Sequence, residues 1–369
     1  MQKVISLIIS ANKYTLMVTK VAIVAITRHG IAIGRRIKQN MPEAEIYVPQ
    51  KHSDGGTDVH WFSEQSTQLV GNLFKTHNAL VCIFSLGAVI RMVAPHLIDK
   101  KSDPAIIVID DKANYAISTL AGHLGGANAL ARLVASYLGA QPIITTAADV
   151  NETIAVDLLG REFGWTIENF ENVTRVSSCM VNEETIAIYQ DAGEKNWWHG
   201  PFPGNTSFVE SIDQIGSPRF KAGLIISDRV VSDPAIVSKS VIYRPKSLVV
   251  GLGLHWDTSK EAIEFGINSV LKQVGLSFKS IRNIASIKRK ANTKGLEEFS
   301  RQYGISIEIF DNDALASVNV PNPSKIVQKF EGTPSVSEAA ALFSSKGQLV
   351  APKQKFPPNL TIAISRVSH

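Results

Sequence analysis

Ile106–Asp149 reads IIVIDDKANYAISTLAGHLGGANALARLVASYLGAQPIITTAAD. Two apolar runs, Ile106–Ile109 and Ile143–Ile144, have the texture of buried strands. Between them stands a glycine-broken turn, Gly122-His123-Leu124-Gly125-Gly126, and then a helix from about Ala127 to Leu138. Strand, glycine turn, helix and strand in that order predict a right-handed βαβ unit. Ligands in such units sit where strands end and helices begin. Backbone N–H groups and the positive end of a helix can meet an anion there, and His123 lies in the middle of that turn.

The same alternation extends in both directions. Val21–Ile26, Ile46–Val48 and Ala79–Phe84 read as strands, with helical segments at Ile31–Asn40 and Phe62–Thr76. Ser85-Leu86-Gly87 opens another strand–turn–helix junction. Residues 17–150 therefore form a parallel, layered α/β domain, and residues 1–16 read as an upstream extension. From Asn151 the texture shifts to a helical stretch, Ile154–Gly164, and short strands among Trp197, Trp198, Pro201 and Pro203. This predicts a small, loop-rich α+β middle domain over 151–245. Lys246–Gly253 reads as a strand entering a glycine turn, with Thr258 and Glu261 as a capping box for the next helix. Residues 246–369 complete a multidomain α/β chain.

The chain has 369 residues, 44% of them apolar and 19% charged, which fits two or three folded cores. The net charge of +5 suits an anionic small molecule. The densest basic run is only Lys288-Arg289-Lys290, so no nucleic-acid arm is expected. No apolar run reaches 18 residues, so no membrane span is expected. Cys82 and Cys179 have neither disulfide-framework nor zinc spacing; they read as core residues in a reducing cytoplasm, and no metal site is expected. Gly251-x-Gly253 lacks the third glycine of a dinucleotide fingerprint.

Four blocks of this sequence resemble the cobalt-precorrin-5A hydrolase (CbiG) family of anaerobic cobalamin biosynthesis. They are SLGAVIRMVAP (85–95) with Lys101 and Asp103-Pro104, TLAGHLGGAN (119–128), PIITTAAD (142–149), and VPNPSKIVQKFEGTPSVSEAAAL (320–342) with Lys353. The resemblance implies a cobalt-bearing tetrapyrrole substrate with many carboxylate arms. It also implies opening of a δ-lactone by water and release of acetaldehyde. Cobalt then belongs to the substrate and no cofactor is expected. The implied setting is cytoplasmic, and it admits a homodimer and transient contacts with neighbouring pathway enzymes. A non-catalytic corrinoid carrier is the alternative. It is motivated by a departure: the family's Gly-Cys-Arg-Arg/Lys-Gly-Thr turn reads Gly253-Leu254-His255-Trp256-Asp257-Thr258 here. A family Asp…Lys…Glu pattern likewise reads Lys288, Lys290 and Thr293.

Lactone hydrolysis needs a base for water and donors for a developing oxyanion. His123 is the candidate base, oriented by Asp149, with the N–H groups of Gly125 and Gly126 as donors. Capping and close packing are the competing explanations for Asp149 and the glycines. Arg91 and Lys101 are candidate partners for substrate carboxylates. The matching blocks add Gly122, Asn128, Thr145, Thr146 and Lys325 as candidate substrate contacts, and the departing turn adds Gly253.

Overall fold

A computed structural model of the chain describes residues 8–11, 14–17, 20–99, 102–288 and 293–368. They fall into two compact units, 1–158 and 159–369. In the first, β1 (Ile8–Ala11) and β2 (Tyr14–Met17) form an antiparallel hairpin. A seven-stranded sheet follows, containing β3 (Val21–Ala25), β4 (Glu45–Pro49), β5 (His60–Phe62), β6 (Ala79–Ile83), β7 (Ala105–Ile109), β8 (Tyr115–Leu120) and β9 (Gln141–Ile143). Its order is β5-β4-β3-β6-β7-β8-β9, parallel from β5 through β7.

Every residue of β3, β6 and β7 is buried, because helices cover both faces of the sheet. Ile23, Val81 and Ile107 point to the face covered by α1 (Arg28–Asn40) and α4 (Ala127–Leu138). Val24, Leu80 and Val108 point to the face covered by α2 (Ser66–Thr76) and α3 (Leu86–Val93). Alternation along each strand thus feeds two separate apolar layers.

The expected βαβ unit lacks one strand that the chain contains. After β7 the Asp110 carboxylate accepts the N–H groups of Lys112 and Tyr115, and Ala113 takes a φ of 56°. This Asx turn reverses the chain. The strand entering the glycine turn is therefore β8, antiparallel to β7, with Ile106 opposite Leu120 and Ile109 opposite Ala116. The βαβ unit is β8–α4–β9. Its glycine turn lies level with the start of β7, at the end of the sheet opposite the turns that follow β3 and β6. A short helix, α5 (Ala147–Val150), follows β9. Ile154–Gly164, expected to be helical, is a run of turns ending in a single 3₁₀ turn at Arg161–Phe163. Gly160 and Gly164 there have positive φ, which ordinary helical residues avoid.

The second unit holds two five-stranded sheets. One contains β10 (Thr166–Ile167), β11 (Ile186–Gln190), β12 (Thr206–Phe208), β13 (Ala222–Ile226) and β14 (Ser240–Arg244), with α6 (Val173–Val181) and α7 (Pro234–Lys239). It is parallel apart from the edge strand β10, so this region is closer to α/β than to the expected α+β.

The other sheet contains β15 (Leu248–Leu254), β16 (Ile281–Ile287) and β17 (Ser306–Phe310), all parallel, with α8 (Lys260–Val274) and α9 (Lys294–Tyr303). After α10 (Asn312–Ala316), α11 (Lys325–Glu331) and α12 (Val336–Ser345), the hairpin β18 (Gln348–Phe356) and β19 (Leu360–Arg366) joins it antiparallel beside β15.

Two expectations fail in this sheet. β15 runs straight through Gly251 and Gly253 instead of turning at them. A Cβ on Gly251 would stand 1.9 Å from the Ser337 carbonyl oxygen, so the glycine lets α12 lie against the strand. The cap of α8 is Ser259, which accepts from the Ala262 N–H, while the Thr258 hydroxyl accepts from the His255 N–H.

Asp228, fully buried just after β13, joins the two sheets. Arg366 at the end of β19 donates to both its oxygens at 2.7 and 2.6 Å, and the Ser247 hydroxyl donates at 2.8 Å. Asp228→Ala would leave Arg366 facing an empty pocket and should cost about 3 kcal/mol, the scale of a broken buried pair. Urea denaturation of the full chain measures it, and a loss within error of zero refutes this role.

Candidate active site

The glycine turn is built by packing as much as by flexibility. Asn128, in the first turn of α4, is buried and presses against Gly122; a Cβ on Gly122 would lie 2.7 Å from the Asn128 Oδ1. A Cβ on Gly125 would lie 2.4 Å from the Ala121 Cβ. Gly126, the residue before the helix, has a φ of 89°, which glycine adopts without strain.

The turn also consumes its own donors. The Gly126 N–H donates to the His123 carbonyl at 3.0 Å, the Ala127 N–H to the Ala121 carbonyl and the Asn128 N–H to the Gly122 carbonyl. The expected oxyanion donor at Gly126 is therefore already committed. The first amides of α4 hold the loop rather than offering an open anion cradle.

The side chains above that loop form one connected network. Asn128 Nδ2 donates to the Thr146 hydroxyl at 2.9 Å and to Asp149 Oδ2 at 2.8 Å, and its Oδ1 accepts from the Ser118 hydroxyl at 2.6 Å. Asp149, with 6% of its side chain exposed, also accepts from His123 Nε2 at 2.9 Å and from Arg132 Nη2 at 3.0 Å. Three donors thus compensate a carboxylate that burial alone would penalise. The other ring nitrogen of His123, Nδ1, lies 3.3 Å from Asp157 Oδ1.

This geometry sets the charge on the ring. Burial pulls the His123 pKa down, but hydrogen bonding to Asp149 and Asp157 and their negative charges outweigh it and raise it to about 9. Burial pushes Asp149 up, and the bonds from His123 and Asn128 with the charges of His123 and Arg132 leave it below its ordinary value. The two carboxylates flanking the ring favour its protonated form near neutral pH. That preference bears on the expectation that His123 is a base.

The remaining candidates are dispersed. Thr146 belongs to the network, while Thr145 beside it is exposed. Arg91 is exposed on α3 and makes no ion pair with a described residue. Lys101 lies outside the described residues, as does Lys290. Gly253 is a strand residue whose Cβ would meet the Thr361 hydroxyl at 2.4 Å. Lys325 is exposed at the start of α11.

The 320–342 block is anchored by Glu338. It is fully buried and accepts from the Asn322 N–H, the Asn322 amide and the Lys353 N–H. Trp256 is 60% exposed, so it is not a packing residue, and neighbouring His255 pairs with Asp257 at 2.6 Å. Trp197 is buried and donates to Gln190, which fits a core role rather than a lid.

Sequence reasoning missed Ser118, Arg132 and Asp157. Arg132 carried a signal, since it lies four residues after Asn128 on one helix face. Ser118 sits on the unrecognised strand β8, and Asp157 in the stretch expected to be helical.

Three family profiles cover most of the chain: Cobalamin synthesis G N-terminal over 68–149, Cobalamin biosynthesis central region over 154–245, and Cobalamin synthesis G C-terminus over 248–365. A cobalt-precorrin-5A hydrolase from Priestia megaterium is 40% identical over 94% of this chain and 95% of its own length. One from Salmonella typhimurium is 29% identical over 89% of this chain and 93% of its own. A crystal structure of a cobalamin biosynthesis protein G homolog from Sulfolobus solfataricus aligns over 95% of this chain and 97% of its own, with 22% identity and a TM-score of 0.37.

The charge on His123 has a consequence for folding. Its contribution is complete below its ordinary value of 6.5 and is lost as pH rises through about 9. That of Asp149, whose pKa is lowered, is complete above 3.8 and is lost as pH falls through its folded value. Denaturation followed from about pH 6 to about pH 10 should show stability falling across the alkaline window. The His123→Gln variant should flatten that fall, and an unchanged slope contradicts the charge assignment.

Proposed function

The chain belongs to the cobalt-precorrin-5A hydrolase family, and from that premise we propose that it opens the δ-lactone of cobalt-precorrin-5A and releases acetaldehyde. The 40% identity to a hydrolase of that name, over nearly the full length of both chains, carries this reading. A separate carrier role has no comparable support.

The chemistry divides into two parts. Water adds to the lactone carbonyl and the acyl C–O bond breaks, leaving a free carboxylate and a hydroxyl on the two-carbon bridge. The hydroxyl proton then passes to solvent water as the carbon–carbon bond breaks. The bridge leaves as acetaldehyde, and the bonding electrons pass to the macrocycle, which takes up a proton. The protonated ring suits the second part, because it can hand the macrocycle a proton once Nδ1 parts from Asp157. His123 takes that role, and Asp149 holds it through Nε2.

Arg91 and Lys101 are our candidates for contacts to the carboxylate arms, and Asn128, Thr146 and the loop glycines frame the ring of His123. Cobalt arrives in the substrate, and the chain supplies no cofactor of its own. Among the described residues no helix is long and apolar enough to cross a membrane; we place the enzyme in the cytoplasm with the rest of its pathway.

Purified protein given the cobalt-bearing lactone should release one acetaldehyde per substrate consumed. His123→Ala should retain the fold by circular dichroism and lose at least about a hundredfold in turnover, the scale of acid–base catalysis. Binding without acetaldehyde overturns the hydrolase reading, and an undiminished rate in the variant overturns the role of His123.

A further inference from the structure

We infer that Asp157 is the positioning residue that makes His123 an acid rather than a base. The argument rests on the two sides of one ring. On the Nε2 side stands Asp149, whose oxygens already accept from His123, Asn128 and Arg132. A histidine paired with a carboxylate on one nitrogen alone keeps a lone pair on the other. That is the arrangement of a general base, in which the carboxylate orients the ring and the free nitrogen takes the proton.

Here the other nitrogen is not free. Nδ1 faces Asp157 Oδ1 at 3.3 Å, and only 15% of the Asp157 side chain is exposed. A carboxylate on each side favours the protonated ring, through a hydrogen bond at Nε2 and through the nearby charge of Asp157 at Nδ1. Asp157 makes no hydrogen bond to another described residue, in contrast to the thrice-bonded Asp149. Among the described residues its side chain faces His123. The charged groups around the ring are Asp149 and Asp157 in direct contact and Arg132 through Asp149. Removing Asp157 would leave the base arrangement; keeping it installs a proton donor.

The local backbone explains how Asp157 arrives there. Residues 153–155 have no regular structure and 156–160 run as turns rather than a helix, so the chain leaving α5 folds back toward the glycine loop. Ile154, Ala155 and Val156 are buried, and they anchor the segment immediately before the carboxylate.

Histidine-selective ¹³C NMR of the full-length protein tests this without substrate, with the His123 signal assigned as the one lost in His123→Gln. In the wild type its titration midpoint should lie well above 6.5; a midpoint near that ordinary value overturns the inference. In Asp157→Asn the midpoint should fall by at least about one pH unit, the effect of removing one adjacent opposite charge. Asp157→Glu, which keeps the charge, should stay within about half a unit of the wild type. An unmoved midpoint in Asp157→Asn, or an equal fall in both variants, overturns the inference.

The kinetic arm alone rests on the hydrolase reading: the alkaline limb of kcat should move down with the NMR midpoint while KM stays within about twofold. A protein that lacks turnover but shows the NMR shifts refutes the hydrolase reading and leaves the role of Asp157 standing.

Discussion

A carboxylate that is nearly sealed from water needs donors on its lone pairs, and the first unit is arranged around meeting that need for Asp149. Asn128 does the most. Its amide nitrogen reaches both Asp149 and Thr146, and its oxygen receives Ser118, so one buried side chain joins β8, α4 and α5. Gly122 is glycine because Asn128 occupies the space its Cβ would take. The loop amides that fix Asn128 in place are the same ones that close the turn. The charge on His123 follows from this frame rather than from the histidine itself, since the ring is held where two acids converge.

Much of this was legible in the sequence. The buried strands β3, β6 and β7 are unbroken apolar runs, and α4 begins and ends where its glycines stand. The turn carrying His123, and the partnership of His123 with Asp149, were visible as a loop and a strand-end acid in one domain. What escaped depended on contacts between distant segments. β8 reads as a polar-edged stretch whose identity as a strand comes from pairing with β7. The second carboxylate beside His123 comes from 34 positions away, in a segment whose apolar residues mimic a helix. A single histidine in a glycine turn suggests a base; the second carboxylate, which bears on that reading, has no signature in the local sequence.

The second unit shows the same limit in a different form. Gly251 and Gly253 look like a ligand-binding turn, yet they are positions where α12 and β19 press against a straight strand. Pattern alone does not separate a glycine kept for a ligand from one kept for a neighbouring backbone. The charged residues of the 320–342 block likewise include Glu338, whose buried oxygens organise the loop at Asn322 and the backbone at Lys353. Family resemblance marks such residues as shared without saying whether they touch a ligand or hold the scaffold.

The Asx turn at Asp110 reaches further than its few residues indicate. It fixes the phase of β8 against β7, and successive side chains of a strand point to opposite faces. Lengthening that turn by one residue, with pairing slipping to match, would swing Ser118 away from Asn128 and present a neighbour in its place. The amide would lose its acceptor partner, and the freed Asn128 could rotate away from Asp149. A reversal that touches no member of the cluster thus acts as its timing element, and tolerance to insertion there should be much lower than its exposed position implies.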